Sequence, residues 1–245
     1  MFTNILYSQH TNLTLNTTVT SDVDRFLYSN ITNIHTSCKP IIKSNLGFSI
    51  DSVISRYYIS DYKSLYMRKL FTEHFFVLFG NDYNVIISPI FHFSKGKDLI
   101  NSENTFVNSR GYLIEADLGK KLSFSTSFVE NQAIFSNYLD SYIRDNRVVP
   151  GQGYARNFKG TGFDYAMSSG YVTYVPNTNF CLQFGHGKNF LGDGYRSLLL
   201  SDNSFNYPYL KIQTNFKKVQ YTTLYAELMD INYFKIYGLP TSGQM

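Results

Sequence analysis

The sequence predicts an all-β protein: an antiparallel transmembrane β-barrel wall, partial and accompanied by short helices. Three observations carry this. Strands of roughly 8 to 12 residues alternate between an aromatic or aliphatic face and a polar face, the way a wall reads when one side meets lipid and the other water. Their length approaches the 9–11 residues needed to cross a membrane at a tilt, above the five or six of ordinary strands. The composition is aromatic and charge-poor, with 21 Tyr, 21 Phe, no Trp and only 16% charged residues, against roughly 25% in typical soluble domains.

The hairpin Thr105 to Leu118 and Leu122 to Glu130 is the clearest strand pair. Tyr112, Ile114, Ala116 and Leu118 share one face, with Glu115 and Asp117 on the other. Gly119-Lys120-Lys121 turns the chain, and Leu122, Phe124, Thr126 and Phe128 oppose Ser123, Ser125 and Ser127. The alternation keeps phase across the turn. Phe75 to Phe79 and Tyr83 to Phe93 pair around Gly80-Asn81-Asp82, and Ser94-Lys95-Gly96-Lys97 reads as a further turn. Downstream, Asp164 to Val175 turns at Val175-Pro176-Asn177-Thr178-Asn179 into the strand opening at Phe180. Tyr209 to Phe216 turns at Lys217-Lys218 into Val219 to Met229.

The N-terminal third is less regular. Thr11 to Thr20 reads as a weak strand, and Val23 to Asn30 with His35 to Ile42 as a hairpin-like pair. Ser49 to Phe71 carries helical spacing, with a break near Ser60-Asp61 and Asp61 placed to cap the second part. Phe135, Tyr138, Leu139, Tyr142 and Ile143 form a helical stripe that Pro150-Gly151-Gln152-Gly153 ends.

Several function classes are disfavoured. The net charge of +4 includes no basic block, which argues against nucleic acid. No apolar run approaches the roughly 18 residues of a membrane-spanning helix. The five histidines lack metal-ligand spacing. Glu115 and Asp117 could in principle act as a glycosidase pair, but their position fits two acids lining a lumen. No G-x-S-x-G elbow and no complete phosphate loop is present. No catalytic residue, metal or cofactor is therefore expected, and the expected role is non-enzymatic. Cys38 and Cys181 leave open either a bridge or two free, packed thiols; the apolar surroundings of Cys181 favour the second.

The most informative segment runs from Phe180 to Ser197. Its glycines suit bends where a strand leaves the wall and backbone packs closely. Its polar side chains offer glycan contacts: Lys188 and Arg196 can pair with sugar carboxylates, Tyr195 can stack on a sugar face, and His186 and Asp193 can hydrogen-bond.

The runs Asn157–Tyr165, Gly185–Asp202 and Asn206–Leu210 resemble the RemB-type gliding-motility proteins, themselves similar to the Wzi capsule-assembly outer-membrane proteins. Asn33–Pro40 and Arg68–His74 fit the same pattern, and the Gly185–Asp202 motif is the most specific. The resemblance implies residues 1–245 of an outer-membrane β-barrel, incomplete at both ends, because full members are longer and begin with a signal peptide. It implies a Gram-negative cell-surface protein of the outer membrane. It also implies lipid and surface or capsular polysaccharide as partners, with a role in capsule assembly or gliding motility. The alternative is a secreted soluble β-protein, such as a carbohydrate-active enzyme or adhesin.

Overall fold

A nine-stranded antiparallel sheet dominates the computed structural model, which describes residues 10–30, 34–46, 48, 50, 53, 64–71 and 73–229. In chain order the sheet takes β2 (Phe76–Phe79), β3 (Tyr83–Lys97), β4 (Asn104–Leu118), β5 (Leu122–Ile134), β8 (Arg156–Phe158), β9 (Gly162–Asn177), β10 (Phe180–Gly187), β12 (Tyr207–Phe216) and β13 (Val219–Ala226). The path is β13-β12-β10-β9-β5-β4-β3-β2, with β8 paired to β9. Smaller pairings join β1 (Cys38–Lys39) to β11 (Phe190–Leu191) and β6 (Val148–Val149) to β7 (Gly153–Tyr154). The helices described over their full length are α1 (Thr17–Ser29), α2 (Leu65–Phe71) and α3 (Asn137–Asn146), with a 3-10 turn at Lys43–Leu46. Among the described residues no helix is long and apolar enough to cross a membrane.

The expected alternation is realised across strands as well as along them. Asp117, Ser123, Thr173, Gln183 and Lys211 lie side by side on β4, β5, β9, β10 and β12. All five are buried. The next row belongs to the opposite face: Leu118, Leu122, Tyr174, Leu182 and Ile212. Phe184, Phe216 and Tyr225 of that face are 64%, 65% and 63% exposed, whereas Ser123, Gln183 and Lys211 are 0% exposed. A sheet folding in water would bury the first set and solvate the second. Tyr112 is likewise exposed, Ile114, Leu210 and Ile212 are half-buried, and no second layer of the described chain packs over them.

The inner polar face is covered by the N-terminal segment. The His10 N–H donates to Ser123 Oγ at 3.3 Å, and its ring nitrogens lie 2.8 Å from Ser44 Oγ and 3.1 Å from the Lys120 carbonyl. The Asn12 N–H donates to the Tyr171 hydroxyl at 2.8 Å, and Gln183 Nε2 donates to Asn12 Oδ1 at 3.0 Å. Lys211 Nζ reaches the Pro40 carbonyl at 3.4 Å, and Lys43 pairs with Glu115 at 3.7 Å. Polar wall residues thus find partners that water would otherwise supply, as buried polar groups require.

Three expectations are corrected. Thr17–Ser29 is a helix, not part of a strand pair. Asn16 accepts from the N–H groups of Thr18 at 2.9 Å and Val19 at 3.5 Å, a side-chain cap. Val23 and Leu27 then fall one turn apart and bury against Leu13, Ile41 and Leu46. That tertiary stripe outweighs the strand preference of a Thr- and Val-rich run. Of the expected second strand, Cys38–Lys39 pairs with β11 and Ile42 bridges Asn12, and neither pairs with residues 23–30. Ser94–Lys97 continues β3, paired to Val107–Asn104; the turn is at 98–103, where Asp98 accepts from the Ile100 N–H at 2.9 Å. The predicted helical region Ser49 to Phe71 is helical at Val53 and Leu65–Phe71, and Asp61 lies outside the described residues. Both cysteines are free thiols, Cys181 buried and Cys38 partly so.

The two ends of the sheet differ. At one end the strands are joined by the short turns 80–82, 119–121, 178–179 and 217–218. At the other stand the connections 98–103, 135–161 and 188–206, the second containing α3. There Ile143, Val149, Ala155 and Phe163 form an apolar cluster with Ala133 and Tyr165, joined by Leu139 and Phe135.

Candidate functional site

At the long-loop end, α1 and the segment 190–202 face each other across a cleft of about 410 Å³. Its placement follows from two local structures. The β1–β11 pairing brings Lys39 beside Phe190, the ammonium 6.0 Å from the ring centroid. Gly192, at φ 138°, then turns the chain so that Asp193 returns over the 36–37 segment. A Cβ there would be strained, so glycine is required.

Charge is paired at the floor. Lys39 is 5% exposed and donates to Asp24 Oδ2 at 2.9 Å, with Asp193 Oδ1 at 3.5 Å. Asp193 also accepts from Thr36 Oγ1 and Ser37 Oγ, both at 3.0 Å. These contacts fix Asp193 firmly. At the rim, Arg196 lies 4.8 Å over the Tyr195 ring and 3.8 Å from Asp202. Tyr195 and Tyr28 are both exposed and both line the opening.

Of the five residues singled out from sequence, three gather here: Asp193 and Tyr195 line the cleft and Arg196 stacks beside it. His186 does not. It stands on the outer face of β10, opposite Gly170 and Pro208 and next to Phe184 in alternation. Lys188 also lies elsewhere, half-buried, donating to the Gly151 carbonyl and tying the cap region to the end of β10. Burial pulls its ammonium below the usual lysine range, with Asp202 acting the other way. Gly185 is structural: a Cβ there would lie 2.5 Å from Tyr171 Cβ and 2.6 Å from the Gly170 carbonyl.

Sequence reasoning missed the α1 half of the cleft, including Thr17, Thr20, Asp24, Arg25 and Tyr28. The signal was present: Asn16 precedes a stretch in which Val19, Val23 and Leu27 repeat every four residues, a helical period. Asp24 and Tyr28, also four apart, mark another face. Among the described residues no group of three His, Cys, Asp or Glu side chains gathers as a metal ion would need.

No protein-family model, curated protein or solved structure matches the chain. The RemB- and Wzi-type resemblance therefore rests on the quoted motifs alone.

Proposed function

We propose that this chain is the wall of an outer-membrane β-barrel that holds surface polysaccharide at its loop end, in capsule assembly or gliding motility, without catalysing a reaction. The carrying observation is the inverted sheet: an exposed apolar face backed by a buried polar one. Lipid is the solvent that makes this arrangement favourable.

The boundary of the apolar face adds independent support. On β3, β4, β5, β10 and β13 the outward residues change from apolar to polar at Phe93/Lys95, Tyr112/Arg110, Phe128/Glu130, Phe184/His186 and Tyr225/Glu227. Phe93 is level with Asn108 and Gln132, whereas Phe184 and Tyr225 are level with Phe124. The boundary thus descends by roughly eight residues over six strand-to-strand steps; at ~3.4 Å per residue and ~4.8 Å per strand this is an inclination of about 40–45°. Barrel strands tilt by about that much from the barrel axis, so a flat membrane boundary would cross them at this inclination. Short turns at one end and long connections at the other also match outer-membrane barrels, whose long loops face outside. The cleft then opens toward the cell surface, where a glycan would meet it.

Detergent extraction of the full-length protein from isolated outer membranes tests the reading. The expected result is retention in the membrane after washing at high salt and alkaline pH, and release by detergent. Recovery in the soluble fraction would replace it with the secreted β-protein.

A further inference from the structure

We infer that the cleft between α1 and the 190–202 segment selects an uncharged, polyhydroxylated ligand, a neutral oligosaccharide, and disfavours acidic ones. This rests on the glycan-holding reading above and narrows its substrate class.

The argument is a count of charges and hydrogen-bonding capacity at the cleft. Among the described residues every cation there already faces a carboxylate: Lys39 faces Asp24 and Asp193, Arg25 lies 3.5 Å from Asp22, and Arg196 lies 3.8 Å from Asp202. Three cations thus meet four carboxylates. An acidic sugar would find no unmatched cation and would have to displace a carboxylate, leaving that group uncompensated. Such like-charge juxtaposition works against binding. Acceptors are in surplus as well, since the carboxylates of Asp193 and Asp202 line the opening with their side chains 43% and 29% exposed. A ligand rich in hydroxyl donors suits this balance. The Thr20 hydroxyl already donates to backbone carbonyls 3.2 Å away, so toward the cleft it too offers acceptor capacity.

Apolar contact comes from the rim. Tyr28 and Tyr195 are 65% and 70% exposed on opposite halves of one opening. A Tyr side chain supplies a flat face and a polar tip with few rotors to freeze. Arg196 lies against the Tyr195 ring and limits its motion, so this platform is partly pre-set. The volume of about 410 Å³ suits a ligand of one or two sugar rings rather than a long chain in full contact.

The test uses the full-length protein in detergent. Its binding is measured on an array of neutral hexose and N-acetylhexosamine oligosaccharides beside uronic-acid-bearing counterparts, at low and high salt. Neutral members should bind, with affinity indifferent to salt. Tyr195→Ala should weaken them about tenfold, equivalent to ~1.4 kcal/mol, while Tyr195→Phe should retain binding. Preferential binding of the acidic members, weakening with salt, would overturn the neutral selectivity while leaving a glycan-holding role intact. Binding of neither class would overturn both, and the fractionation experiment would judge the membrane reading separately.

Discussion

Two regions of this molecule solve opposite problems with the same kinds of side chain. Around α3 the chain behaves like an ordinary domain: Ile143, Val149 and Phe163 turn inward, and Asp140 and Arg144 pair on the exposed side at 2.6 Å. In the middle of the sheet the rule reverses, and Gln183 and Lys211 are sealed inside while Phe184 and Tyr225 look out. On the proposed reading the hydrophobic effect is the same in both and the medium on the outer side differs. Interior polarity alone is therefore a poor guide to fold quality here, and the partners of each polar group matter more.

The largest expected effect probes the ordinary region. Ile143→Ala removes a fully buried side chain from a packed cluster and should cost ~2–5 kcal/mol. Denaturant unfolding of the protein in detergent micelles would measure it. A negligible loss would mean that the cluster around α3 does not pack as a core. A slightly smaller effect separates the two regions. Ile87→Arg, midway along the outward apolar row from Tyr83 to Phe93, should cost ~2–4 kcal/mol when lipid is the neighbour and reduce the membrane-inserted fraction. In a water-facing sheet the same change would be harmless or would improve solubility. Equal yields of wild type and variant would count against the lipid-facing assignment.

The cover on the inner face can be loosened separately. Asn16→Ala removes the α1 cap and should destabilise the protein by ~1 kcal/mol. Protection of α1 amides from hydrogen exchange should fall while the sheet stays protected. The smallest effect is pH-dependent. Asp98 accepts from the backbone N–H groups of Ile100 at 2.9 Å and Asn137 at 3.0 Å. These bonds hold its carboxyl below the usual carboxylate range. A depressed folded value means that the stabilisation is complete above the unfolded value near 3.8 and is lost as pH falls through the folded one. Melting temperatures of wild type and Asp98→Asn should therefore differ slightly at neutral pH and converge in acid; an unchanging gap would contradict the assignment.

The sheet was largely legible from sequence because alternation is a local property. Leu122 to Glu130 announces its faces without knowing its neighbours, and the two-residue turn at Lys217-Lys218 lies where predicted. The N-terminal segment was not legible in the same way. Residues 23–29 carry Val, Phe, Leu and Tyr, a strand-like vocabulary, and become helix because Asn16 caps them and Ile41 and Leu46 receive their apolar stripe. Half of the cleft was visible in the glycine-rich motif, where Asp193 and Tyr195 stand. The other half belongs to a helix more than 160 positions away, and no local pattern connects them. His186 stands apart from the cleft for a simpler reason: alternation along β10 puts it on the same outer face as Phe184.

The contacts of His10 and Asn12 carry a consequence for biogenesis. Their partners Ser123, Tyr171 and Gln183 are made 113, 159 and 171 positions later. The earliest part of this stretch to leave the ribosome is thus among the last to find its seat. Loop-closure entropy makes such distant pairings slow, so the leading segment must wait, its polar groups satisfied by water or an escort, until the later ribbons arrive to enclose it.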